Sequence, residues 1–147
     1  MSFDLSLAKG DLVLGADNDL AKVREGSKLV QDILKLLFTP LGSDPYFLTK
    51  GSTLTTDNIG ETVNDQFMLD RARASILNTL KQLQTIQQVQ ALTQTVTPEE
   101  TLKEINEVSV ARDEQELRQY NIRIVITTGA YSVISIPEFS ISTNLVE

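Results

Sequence analysis

The chain has no cysteine and no histidine. The first absence excludes disulfides and thiolate metal sites, and the second removes the commonest general base and the commonest zinc ligand. Most familiar catalytic constellations are therefore missing. Positive charge is also scarce, with 13 Lys and Arg against 20 Asp and Glu and a formal net charge of −7. Such a balance argues against nucleic acid as a partner, because backbone binding depends on cations that neutralise phosphates. No apolar run reaches the ~18 residues of a membrane span, and the opening Met-Ser-Phe-Asp-Leu-Ser-Leu is acidic and polar where a secretory signal would be basic and then apolar. The expectation is no membrane partner and a protein kept in a cytoplasm unless something larger carries it out. The glycines are scattered singly, so no phosphate-cradling loop is present, and no cofactor is expected.

What is present suits a folded chain: 41% hydrophobic and 22% charged residues over 147 positions, enough for one core and too little for two ordinary domains. Near the start, Asp4-Leu5-Ser6-Leu7, Asp11-Leu12-Val13-Leu14 and Asp19-Leu20-Ala21 repeat, separated by the turn-tolerant pairs Lys9-Gly10 and Asp17-Asn18. A small β-meander is predicted, with its leucines covered by the following helix. Ser27 is the expected N-cap of that helix, whose apolar stripe would be Val30, Ile33, Leu34, Leu37 and Phe38. Pro40 and Gly42 stop it, and a shaped loop with Pro45 and Gly51 follows.

Residues 61–94 contain neither Gly nor Pro and read as helical, with apolar steps at Leu69, Ala72, Ile76, Leu80, Leu83 and Ile86. Unbroken, the segment would span roughly 50 Å, so it either breaks or projects. Its second half is rich in glutamine, and Gln84, Gln87 and Gln88 are candidate contacts to a partner helix. Thr97-Pro98-Glu99-Glu100 has the form of a capping box opening a short helix. Two strands, 122–127 and 131–136, are joined by a turn at 128–130, and a lone strand after Pro137 needs an edge to pair with. The fold class expected is α+β in a single domain, residues 1–147: an N-terminal β-meander, two to three helices and a C-terminal antiparallel hairpin or sheet.

Paired carboxylates are the remaining acid–base option. Glu99/Glu100 lie in a helical first turn and Asp113/Glu114 in a polar loop, so neither pair has the two unlike environments that glycoside hydrolysis needs. Ser52 could draw only on Lys50 as a base, and Asp17-Asn18-Asp19 supplies too few ligands for calcium. No catalytic or metal residue is therefore assigned.

The N-terminal strands with Gly10-Asp11-Leu12, the first helix, and the string Leu37-Phe38-Thr39-Pro40-Leu41-Gly42 ending in Gly51-Ser52-Thr53-Leu54 resemble the baseplate wedge and sheath-initiator family of contractile phage tails. That family includes the wedge component of type VI secretion systems. The resemblance covers roughly residues 4–60 and, more loosely, the final strands. Many members carry Gly-Glu-Arg-Pro where this chain has Gly42-Ser43-Asp44-Pro45, and a Glu-Pro-Arg motif whose nearest counterpart is Thr97-Pro98-Glu99-Glu100.

The resemblance implies a structural, non-enzymatic virion component, located in the tail baseplate and in host cytoplasm during assembly. Its partners would be other wedge proteins, sheath subunits and the tail tube, with several copies around a symmetric tail. Sheath growth would be templated by strand exchange on the C-terminal hairpin, through Ile122, Ile124, Ile126, Tyr131, Val133, Ile134 and Ile136. Thr39, Pro40, Gly42, Pro45, Gly51, Ser52 and Leu54 form the loop motif. The alternatives are a secretion-system or bacteriocin-like particle, a cytoplasmic helix-binding adaptor and, last, a peptidoglycan hydrolase.

Overall fold

The computed structural model describes residues 3–8, 11–54, 65–115 and 119–142. Four strands of two residues each open the chain: β1 (Asp4–Leu5), β2 (Leu7–Ala8), β3 (Asp11–Leu12) and β4 (Lys22–Val23). β1 pairs with β4 and β2 with β3, both antiparallel, and a bridge joins Leu14 to Leu20. The expected meander is present, but closed on itself. Ser6 N–H donates to Ala21 O at 2.7 Å, Ala21 N–H to Val13 O at 2.8 Å, and Val13 N–H to Ser6 O at 3.2 Å. This ring of three bonds lets very short strands satisfy their backbone groups.

The expected cover for its leucines does not form. Leu7, Leu12, Leu14 and Leu20 are all exposed, because the next helix meets the strands through polar side chains. That helix, α1 (Glu25–Phe38), begins two residues before Ser27, with Arg24 at the cap position and no side-chain cap bond. Ser27 is instead an exposed residue of the first turn. The apolar residues of α1 occupy an arc of about 200° at 100° per residue, wider than one stripe. The core takes the side that holds Leu29, Ile33, Leu36 and Leu37; Val30 and Leu34 are partly buried, and Phe38 is left half-exposed. Phe38 meets Phe139 edge-on at 5.6 Å between ring centroids.

The helix α2 (Asp65–Gln90) ends four residues short of the expected limit, in tight turns at 91–94; residues 61–64 lie outside the described set. It does not project. Met68, Ala72, Ile76, Leu80, Leu83 and Gln87 are buried, at steps of three and four residues, where α2 lies against the C-terminal sheet and α1. No helix among the described residues is long and apolar enough to cross a membrane.

Thr97-Pro98-Glu99-Glu100 forms only a 3-10 turn, Pro98–Glu100, with no side-chain cap bond. A strand follows at once, which the capping-box reading does not foresee. β5 (Leu102–Arg112), β6 (Gln119–Thr128) and β7 (Val133–Ser142) form one antiparallel sheet in that order. β6 alternates strictly, and Tyr120, Ile122, Ile124, Ile126 and Thr128 face the core. Its neighbours do not alternate, because their register against β6 slips. On β5 irregularities fall between Leu102 and Glu104 and between Ile105 and Glu107, so Leu102, Ile105 and Val108 point inward at three-residue spacing. On β7, Pro137 and Glu138 stand opposite the single residue Arg123, a bulge that brings Phe139 and Ile141 back to the face of Ile134 and Ile136. The lone tail strand expected after Pro137 is thus the second half of β7. Each fully buried Ile or Leu contributes about 1.5–3 kcal/mol, which makes β6, with three isoleucines at 0% exposure, the stable centre.

Candidate functional site

The hairpin residues divide between two environments. Ile122, Ile124 and Ile126 are 0% exposed on the central strand, and Ile136 is buried beside them. These four side chains lie in the core that the sheet shares with α1 and α2, and β6, which carries the first three, is paired on both sides. Ile134 is partly buried against the core, and a Cβ on Gly26 would lie 3.0 Å from its methyl. Tyr131 lies in the turn and not in a strand, at φ 63°. Its exposed ring carries the Lys103 ammonium 3.4 Å from its centroid. Val133, 65% exposed, starts the outer strand.

Unpaired backbone belongs to β5 and β7, the two edges left by the order β5-β6-β7 among the described residues. They are protected differently. β5 exposes Lys103, Glu104, Asn106 and Glu107, charge that discourages pairing. β7 exposes Val133, Ser135, Pro137, Glu138 and Ser140, with one charge beside the bulge. Its first half, residues 133–136, carries no charge and is the more receptive edge. The low charge of this stretch is legible in the sequence, but its edge position depends on β5, which the bulges disguise.

The loop motif closes on itself. Pro40 and Ser52 form a parallel bridge, with Leu41 N–H donating to Ser52 O at 3.0 Å and Ser52 N–H to Thr39 O at 2.8 Å. Gly51 has φ 115°, and a Cβ there would stand 2.6 Å from Thr39 O, so glycine is required. Gly42 turns the chain at φ 80°. Pro45 occupies a turn in which Asp44 O accepts from Phe47 N–H at 3.2 Å. Ser52 Oγ accepts from Leu54 N–H at 3.0 Å and meets Ser75 Oγ at 3.2 Å, while Leu54 is buried in the core. Thr39 Oγ1 donates to Lys35 O at 2.6 Å. Gln82 clamps the loop from α2, accepting from Gly51 N–H at 3.1 Å and donating to Thr49 O. The loop is a built platform, and Tyr46, Phe47 and Leu48 stand exposed at its tip.

The glutamine face of α2 serves its own chain in large part. Gln87 is buried; its Nε2 donates to Glu100 O at 2.9 Å and its Oε1 accepts from Leu102 N–H at 2.8 Å. Gln84 Nε2 donates to Lys103 O at 3.0 Å. Both were candidates for a partner helix, and both instead tie α2 to the start of β5. A carboxamide can replace a missing ladder bond at a strand end, which is why these positions are glutamine and not apolar. Gln88 is exposed.

The carboxylate pairs do not converge. Asp113 shapes a turn, accepting from Gln115 N–H at 2.8 Å and Asn121 Nδ2 at 3.2 Å, and Glu100 is buried while Glu99 is not. Ser52 is buried and engaged, whereas Lys50 is exposed. Asn18, at φ 63°, makes Asp17–Asp19 a tight turn. Among the described residues no group of three or more acidic side chains could hold a metal ion.

The arrangement defines an α+β protein with a three-stranded antiparallel sheet, one α-helical layer and a small N-terminal sheet. No protein-family model matches the sequence, and no curated protein matches it. Among solved structures the chain is similar to a Geobacter sulfurreducens protein described as a candidate tail lysozyme, with a TM-score of 0.64 and 12% sequence identity over 86% of this chain and 100% of that one. The likeness is one of fold.

Proposed function

We propose that the chain is a non-enzymatic structural subunit of a contractile tail, a baseplate wedge component that initiates sheath polymerisation. The carrying observation is the uncharged outer edge of β7 over residues 133–136, on a sheet whose other edge is studded with charge. A strand from a sheath subunit would add there through main-chain bonds, with Val133 and Ser135 presented to it. Support comes from the sequence resemblance and from a fold neighbour whose description places it in a tail. The other partners on this reading are further wedge proteins and the tail tube, with copies set around the tail so that modest interfaces reinforce one another.

A catalytic role has little to stand on, since neither candidate carboxylate pair converges and the sequence has no histidine. The reading is tested by proline substitution at Val133, Ile134 and Ser135, because proline removes a ladder donor and fixes φ. The expected result is at least one soluble, normally folded variant whose tails carry baseplates and tubes but no sheath, while Glu107→Pro on β5 leaves sheath assembly intact. Full-length sheaths from every soluble β7 variant would overturn it.

A further inference from the structure

Four leucines of the N-terminal strands meet solvent together. Leu7 stands opposite Leu12 in the β2–β3 register, Leu14 stands opposite Leu20 across their bridge, and Leu12 and Leu14 are two residues apart on one segment. Paired residues share a face and so do alternate ones, which puts all four on one side. Their exposures are 37%, 37%, 50% and 64% for Leu7, Leu20, Leu12 and Leu14. Single exposed leucines need no account, but a contiguous group of them marks a surface that is covered in use. The cover is not an added strand here, since Ser6, Val13 and Ala21, which lie beside the leucines, each donate and accept a backbone bond within the closed ring. Side chains have to make the contact.

Charge decides which side chains. Asp11 and Asp19 are exposed, and each holds a carboxylate oxygen on the amide of the leucine that follows it, at 2.9 Å from Leu12 N and 2.8 Å from Leu20 N. Asp17, also exposed, sits in the turn between Leu14 and Leu20. Of the two lysines in residues 3–23, Lys22 holds its ammonium 4.6 Å from the Phe3 ring centroid, and Lys9 lies outside the described residues. The patch is therefore apolar with an acidic rim. A second copy would bring the same acids, an anionic membrane would bring phosphates, and the chain's own segments 55–64 and 143–147 contain acids and neither Lys nor Arg; like charge disfavours all three. We propose that this surface docks an amphipathic helix of a protein partner, one whose apolar stripe is flanked by lysine or arginine. The leucines are spaced roughly 5 Å across the strands and about 7 Å along them, close to the spacing of side chains three and four apart on a helix, so the two sets can interdigitate. The surface uses no residue of β7 and does not rest on the sheath-edge reading.

The test is a fluorescence-anisotropy titration of the purified chain into two labelled helical peptides of identical leucine stripe, one flanked by lysine and the other by glutamate, at constant ionic strength. The lysine peptide should bind saturably and roughly tenfold more tightly than the glutamate peptide, with NMR amide shifts centred on residues 4–23. Leu12→Ser with Leu14→Ser leaves the net charge unchanged and should abolish binding, while Asp11→Lys with Asp19→Lys leaves the leucines in place and should reverse the preference. Each pair is exposed, and melting curves show that the variants fold; should one pair not fold, the other still decides. Failure to saturate, equal binding of the two peptides, shifts centred elsewhere, binding that survives the serine pair, or a preference that the lysine pair does not reverse would overturn the proposal. So would a dimer in sedimentation that the serine pair abolishes, which would make a second copy the occupant, or leucine-dependent retention on phosphatidylserine vesicles, which would make it a membrane.

Discussion

The two ends of the chain are written in a similar pattern, short alternating strands with leucine or isoleucine at every second position, and they are held to the molecule by different forces. The C-terminal sheet is fixed by area: Ile122, Ile124 and Ile126 disappear into the core it shares with the two helices. The N-terminal strands turn Leu7, Leu12, Leu14 and Leu20 outward and are held by two polar residues of α1. Gln31 accepts from Leu7 N–H at 3.0 Å and donates to Leu5 O at 2.8 Å and Asp4 Oδ2 at 3.1 Å, and Lys35 pairs with Asp4. Alternation tells which residues share a face, but whether the face is covered depends on where a helix lands. A region held by directional bonds, each worth about 0.5–1.5 kcal/mol net, should open before one held by buried area.

The sharpest break of this comparison is a matched pair. Ile124→Asp should prevent soluble folding, since a buried charge costs several kcal/mol against a total of about 5–15. Leu14→Asp should change stability by less than about 0.5 kcal/mol. Melting temperatures measure both, and equal damage would mean that the N-terminal leucines are covered. The next effect contrasts two neighbours on α2: Gln87→Leu strands a buried N–H and a carbonyl and should cost about 2–4 kcal/mol, whereas Gln88→Leu should be near neutral in urea denaturation. Smaller again, Gln31→Ala should release the N-terminal sheet by about 1–2 kcal/mol. Hydrogen exchange would rise over residues 4–23 and stay unchanged on β6; a uniform rise would make the two regions one cooperative unit.

The smallest effect is the pH dependence of the tether. Burial pushes the Asp4 carboxyl up, but hydrogen bonds from Lys35, Leu5 N–H and Gln31, with the attraction of Lys35, outweigh it and leave it below 3.8. Burial likewise lowers Lys35, and Asp4 and Asp32 outweigh it, leaving it above 10.5. Asp4 therefore stabilises the fold above pH 3.8, and its contribution is lost as pH falls through its lower folded value. Lys35 contributes below pH 10.5, and its contribution is lost as pH rises through its higher folded value. With Lys35 44% exposed, Asp4→Asn should flatten the acid limb of the stability curve by less than about 1 kcal/mol.

Much of this fold is legible in the residues. The run Ile122, Ile124 and Ile126 gives β6 its phase, and the Pro40 stop ends α1 where expected. β5 is legible only towards its end, where Val108 and Val110 alternate; before that its bulges space Leu102, Ile105 and Val108 by three, which imitates a helix after a turn that already looks like a helix start. The inward rotation of Gln87 is hidden for a related reason: a polar residue in the buried row of α2 makes sense only once the unpaired end of β5 is seen beneath it. The choice of Leu36 over Phe38 was likewise open, since both lie on one broad apolar arc.

The bulge at Pro137 and Glu138 sets a ruler on the outer edge of β7. On either side of it the strand runs straight for four residues, about 14 Å, and then the phase of its backbone groups inverts. A strand annealing along this edge can stay in step with one half only, and a longer one must bring a kink of its own. Pro137 offers no N–H at the boundary. Such an edge could keep a short added strand in step along one half only, and it denies a long flat one the continuous ladder on which fibrous aggregation depends.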